Sequence, residues 1–127
     1  LSNVCWLGPK PHSELPHYLK RFDVCLNPLA VTEHNHRRSL LRLYDYLATD
    51  RPILSTALRE AGEHEGTVCV GRDLPECTKL LGLMLNGSPK IAVEHRQRYI
   101  RQNTWEQRAQ ALWARIAQCP GVAATAR

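Results

Sequence analysis

Four short apolar runs recur along the chain: Val4 to Leu7, Val24 to Leu26, Ile53 to Thr56 and Val68 to Val70. They are separated by stretches whose apolar residues repeat at helical spacing. This alternation is the strongest constraint on the fold. Each run is too short for an ordinary helix, and three of them are closed by a turn signal, Gly8-Pro9, Asn27-Pro28 or Gly71. Between them, Leu15, Tyr18, Leu19 and Phe22 fall at i, i+3, i+4 and i+7, and Leu40, Leu43, Tyr44 and Leu47 repeat that face. Strands alternating with helices predict an α/β fold. The expected form is a partial Rossmann-like, doubly wound parallel sheet of about four strands with helices on both faces.

Local signals place the helix ends. Ser13 and Ser39 are expected to cap the first two helices, with Pro16 tolerated in the first turn. Asp50-Arg51-Pro52 should stop the second, because proline disfavours helical geometry in the residue before it. The stretch from Thr32 to Arg38 is polar and charged, and that from Leu58 to Gly66 reads as a loop with room for a helical turn. Asp73 with Glu76, and Thr104 with Gln107, have the spacing of capping boxes. The first opens a helix that stops at Asn86-Gly87. The second opens an amphipathic helix with Trp105, Ala109, Leu112, Trp113 and Ile116 on one face. A basic helix is expected between them, over about 91–101. One domain over residues 1–119 and a flexible tail over 120–127 complete the expected organisation.

At 127 residues, 43% hydrophobic and 23% charged, the chain has the composition of a globular domain rather than a disordered one. The five cysteines form no C-x-x-C pair; Cys5, Cys25 and Cys69 sit in apolar runs and read as small buried hydrophobes. Reduced thiols and a cytoplasmic location follow from that reading. A net charge of +5 favours anionic partners.

In an open α/β sheet, ligands bind beyond the carboxyl ends of the strands. The segment after the second run is Glu33-His34-Asn35-His36-Arg37-Arg38-Ser39, and it leads straight into a helix start. Helix N-termini attract anions, and arginine makes bidentate contacts with phosphate. Arg37, Arg38 and Arg42 therefore read as an anion site, preferred to a solvated basic face, since the helix dipole disfavours cations at that end. Asp45 is either a hydrogen-bond acceptor for sugar hydroxyls or the intrahelical partner of Arg42. His34 and His36 lack the spacing of a zinc site. Arg96, Arg98, Tyr99 and Arg101 form a basic helix that reads first as a solvated face and second as a nucleic-acid contact.

The order of these motifs resembles the donor-binding, C-terminal domain of the group 1 class of GT-B glycosyltransferases. Asn3-Val4-Cys5-Trp6-Leu7-Gly8 is similar to the family's "NVxxLG" strand. Glu14 through Pro28 is similar to "ELPxYLxxFDVxLxP", and Ser39 through Thr56 to "PLKLYEYLAAGKPVVST". Thr104-Trp105-Glu106-Gln107-Arg108-Ala109 looks like the "SWExRA" start of the family's last helix. The resemblance spans residues 3 to about 117. It implies a nucleotide-diphosphate sugar as donor substrate, with no metal or cofactor required. It also implies catalytic roles for Glu33, near the donor sugar, and Arg42, facing the diphosphate. Arg37, Arg38, Ser39, Leu40, Arg42 and Asp45 would line the donor site, with Asp45 holding the ribose. Asp45 stands where the family has glutamate, Leu40 where it has proline, and Asp50 where it has a glycine able to adopt the left-handed conformation.

In a sheet of order 3-2-1-4-5-6, the first two runs here would be strands three and four, which are not neighbours. The chain is therefore expected to be a fragment, inactive alone, whose partner is an N-terminal acceptor domain. The acceptor would be a saccharide or a lipid-linked acceptor at the inner membrane surface. The alternatives are a non-enzymatic anion- or nucleic-acid-binding module and a sugar-nucleotide epimerase of the same fold.

Overall fold

Three strands form one parallel sheet in the order β1 (Cys25–Asn27), β2 (Ile53–Thr56), β3 (Cys69–Gly71). The computed structural model describes residues 2–64, 66–87 and 93–119. Cys25, Leu26 and Asn27 lie opposite Ile53, Leu54 and Ser55, while Leu54, Ser55 and Thr56 lie opposite Cys69, Val70 and Gly71. Side chains alternate across a strand, so this register gathers Cys25, Asn27, Ile53 and Ser55 on one face and Leu26, Leu54 and Cys69 on the other.

The first face carries the core. Helix α1 (Leu15–Leu19) precedes β1, and α2 (Glu33–His36) and α3 (Leu41–Leu47) connect it to β2. Helix α4 (Arg59–Glu63) connects β2 to β3. Leu19, Leu40, Leu43, Leu47, Leu58, Ala61 and Val68 pack with Cys25 and Ile53 into one buried cluster. The second face is covered by α5 (Leu74–Leu85), which packs on β2 and β3. The approach there is close: a Cβ placed on Gly71 would run into Cys77 Sγ. Asp73 caps α5 by accepting from the Glu76 amide at 2.8 Å, and Glu76 accepts in return from the Arg72 amide, so the capping box forms with its second bond one residue early. Gly87, at φ +79°, follows the helix end in a conformation that suits glycine.

Several expectations need correction. Val4 to Leu7 forms no strand and is exposed. A strand needs a ladder partner, and β1 is paired only with β2 among the described residues. The described sheet therefore has three strands. Cys5 is exposed, not buried, for the same reason, and Cys69 is only partly buried; the burial expected of Cys25 is found. Ser13 and Ser39 cap nothing: a 3-10 turn at His12–Glu14 runs into α1, and α3 begins after Leu40 without a side-chain cap from its own first residues. The polar stretch from Thr32 to Arg38, for which the sequence suggested no element, contains the short helix α2, while the helical turn allowed for between Leu58 and Gly66 is α4. Thr32 caps the former, accepting from the Asn35 amide. Asp50 avoids the left-handed conformation; Thr49 closes the turn instead, its hydroxyl donating to the Tyr46 carbonyl and accepting from the Arg51 amide.

The last two helices are α6 (Val93–Gln102) and α7 (Trp105–Ala117), the latter capped by Thr104 as expected. Arg96, read as part of a solvated basic face, is 5% exposed, and its guanidinium donates to the Thr49 carbonyl at 2.6 Å. Tyr99 packs against the core cluster. Gln97, Arg98, Arg101 and Gln102 of α6 are exposed. The apolar face of α7 is uncovered, with Trp105, Leu112 and Trp113 exposed and only Ile116 half-buried. The beginning of the basic helix at Ile91 and the tail over 120–127 lie outside the described residues. No helix among the described residues is long and apolar enough to cross a membrane.

Candidate functional site

At the carboxyl end of β1, the chain turns through Pro28 and α2 before entering α3. Asn27 and Ser55 are register partners there, and Asn27 donates to Ser55 Oγ at 2.9 Å. Both side chains are buried, so the pair ties the ends of two strands together in a place where an unpaired amide would be costly. Thr56 adds a bond from its hydroxyl to the Leu29 carbonyl at 2.6 Å, fixing the segment that leaves β1.

Two clefts open beside this junction. One, of about 300 Å³, is walled by Asn27 and Leu29 on the sheet side and by Arg38, Ser39, Leu40, Arg42 and Asp45 on the helix side. The other, of about 350 Å³, is largely apolar, with Leu7, Leu15, Tyr18 and Phe22 among its walls. Lys10, Arg42 and Asp45 supply its charge. Arg42 and Asp45 border both, being one turn apart on the same side of α3. Asp45 also lies 3.9 Å from His12 Nε2 across the second cleft's rim. Tyr46 lines the second cleft too; burial pushes its phenol up, and the nearby Arg42 guanidinium opposes that shift.

Five of the expected site residues, Arg38, Ser39, Leu40, Arg42 and Asp45, thus border one cleft. Glu33 and Arg37 do not border either one. They form an i,i+4 pair at 3.5 Å on the exposed side of α2. Leu40 takes its place by packing, since its side chain is 4% exposed and belongs to the core. Arg38 makes a 3.5 Å contact with Asn35 Oδ1 that leaves most of its guanidinium to solvent.

The start of α3 is tied to α4 by one carboxylate. The Leu40 amide donates to Glu60 Oε2, and the Tyr44 hydroxyl donates to Glu60 Oε1 at 3.3 Å. A carboxylate from α4 therefore accepts from the N-cap residue's own amide, the bond that the second residue of a capping box makes in other helices. Sequence reasoning missed Glu60 because it sits in the polar stretch 58–66, twenty residues from its partner. Asn27 was missed for a different reason: before a proline it reads as a strand stop. Among the described residues, no three His, Cys, Asp or Glu side chains gather as a metal-binding group.

Comparison with known proteins adds one relationship. Over 58 residues the chain is 34% identical to TuaH of Bacillus subtilis (strain 168), a protein named for a glycosyltransferase role in teichuronic acid biosynthesis. The match covers 46% of this chain and 15% of that relative's length. No family model and no solved structure matches the chain.

Proposed function

We propose that this chain carries the donor-binding part of a glycosyltransferase of the GT-B type, taking a nucleotide-diphosphate sugar as donor. The observation that carries the reading is the convergence of Arg38, Arg42 and Asp45 on one cleft at the carboxyl end of a parallel strand. The similarity to a protein named as a glycosyltransferase supports the same class.

In this reading the diphosphate lies in the polar cleft against the guanidinium groups of Arg38 and Arg42. The nucleoside extends into the apolar cleft, and Asp45, at the boundary, accepts hydrogen bonds from the ribose hydroxyls. Bond cleavage at the anomeric carbon leaves negative charge on the departing diphosphate. Fixed cationic groups that meet this charge as it develops lower the barrier. Arg42 is the group assigned to that role. Glu33, paired with Arg37 outside the clefts, is given no step. The acceptor, a saccharide or a lipid-linked saccharide, would be presented by an acceptor domain beyond these 127 residues.

Titration of UDP and GDP by calorimetry tests the reading. Arg42→Ala should weaken binding by about 1.5–3 kcal/mol, the range for hydrogen bonds to charged groups, while Arg98→Ala on the solvent side of α6 leaves it unchanged. Equal affinities for the unaltered chain and Arg42→Ala would remove Arg42 from the site.

A further inference from the structure

We infer that Glu60 is a positioning residue for the donor site, acting from behind the cleft without touching the ligand. The inference rests on the donor-site reading above. Glu60 borders neither cleft, yet its two carboxylate oxygens reach two points of α3: the Leu40 amide just before the helix and the Tyr44 hydroxyl one turn inside it. Leu40 is 4% exposed, so water cannot easily replace the bond its amide makes. Arg38 and Arg42 lie two residues to either side of Leu40, and their guanidinium groups are the cleft's cationic pair.

The physical consequence concerns geometry. The chain around Ser39 has no side-chain cap of its own, because Ser39 makes none and Leu40 cannot. Apart from local bonds of Arg38 to Asn35 and of the Leu43 amide to the Leu40 carbonyl, residues 38–42 would otherwise be held by the burial of Leu40 and Leu43. Apolar packing fixes depth well and rotation about the helix axis poorly. A two-point hydrogen bond fixes the rotation, and rotation decides whether Arg38 and Arg42 point into one cleft or diverge. Bidentate contact with phosphate tolerates little misplacement. Glu60 is anchored in turn, since α4 follows β2 directly and Ala61, beside it, is fully buried.

The test uses the full chain with UDP and GDP as probes, and the Leu40 amide resonance as a second readout. Glu60→Asp keeps the charge but shortens the reach, and Glu60→Ala removes the group. Both should weaken nucleotide binding about tenfold or more and move the Leu40 amide resonance upfield. Glu60→Gln keeps an acceptor oxygen for Leu40 and an amide that can donate to the Tyr44 oxygen, so its affinity should stay within about threefold of the unaltered chain. Unchanged affinity in Glu60→Asp and Glu60→Ala overturns the positioning role alone. So does retained affinity in Glu60→Asp with equal losses in Glu60→Gln and Glu60→Ala, which would mean that charge rather than geometry matters. Absence of UDP and GDP binding in the unaltered chain overturns the donor-site reading and the positioning role with it. In that case the Leu40 resonance still reports separately whether the hydrogen bond exists.

Discussion

His64 shows most clearly how a single side chain couples packing to pH. Its imidazole is 4% exposed and stands edge-on between the rings of Tyr44 and Tyr99, at centroid distances of 5.7 and 4.9 Å. Neither ring nitrogen has a hydrogen-bond partner among the described residues. Burial lowers its pKa below the ordinary 6.5; Glu60 and Glu63 oppose the shift and Arg108 adds to it. The folded state therefore binds this proton less readily than the unfolded chain does. The stabilisation is fully present above the unfolded value and is lost as pH falls from there through the folded value. Urea midpoints should accordingly drop between about pH 7 and pH 5, and His64→Phe, which keeps the aromatic contacts, should flatten that drop. A slope that persists in His64→Phe would assign the effect to other groups. None of this was legible in the sequence, where His64 sits between two glutamates in a polar stretch. That Arg42 and Asp45 border one cleft was legible, because helical spacing alone puts them on one side. Glu60 and Asn27 were not, because their partners are tertiary.

The three strands and α3, α5 and α7 were found within a residue or two of where the sequence placed them, the strands because short apolar runs between turn signals mark them and the helices because they are long enough to show a period. A helix of four residues, such as α2, completes too little of a turn pattern to be seen. The Val4 to Leu7 run failed for another reason, since apolar composition marks a strand only where a neighbouring strand completes the ladder. Between β3 and α5, local sequence is a poor guide to what matters, which is how closely they approach. A methyl group at Gly71 meets Cys77 Sγ, and the Cys77 backbone lies only 3.1 Å away. Gly71→Ala should destabilise the chain by about 1–3 kcal/mol, as overpacking typically does. Adding Cys77→Ala removes the sulfur but not the backbone contact, so denaturant titration should show part of the loss restored. Strict additivity of the two substitutions would mean that the helix does not sit this close to the strand.

On the scale of the whole molecule, burial is uneven. The α3 and α4 side of the sheet holds the largest fully buried side chains, Leu43, Leu47, Ile53 and Leu58, whereas Leu26 on the other side is 43% exposed. The chain's three tryptophans all lie outside both layers, with Trp6 90%, Trp105 80% and Trp113 66% exposed. Contiguous exposed apolar surface of this kind, as on α7, is unusual for a monomer in isolation. It also makes a measurable claim. Indole emission shifts to the blue in apolar surroundings, so a folded chain with every indole in water should emit nearly where the unfolded chain does. Urea should therefore abolish the far-ultraviolet circular dichroism cooperatively while the emission maximum barely moves. Raising the protein concentration probes the same surface: a blue shift that grows with concentration would mean that copies of the chain cover the α7 face mutually. A native maximum well to the blue of the unfolded one, even at the lowest concentration, would contradict the exposed placement of Trp105 and Trp113. It would put α7 against the body of the molecule, where its Arg108 already lies 4.8 Å over the Tyr44 ring.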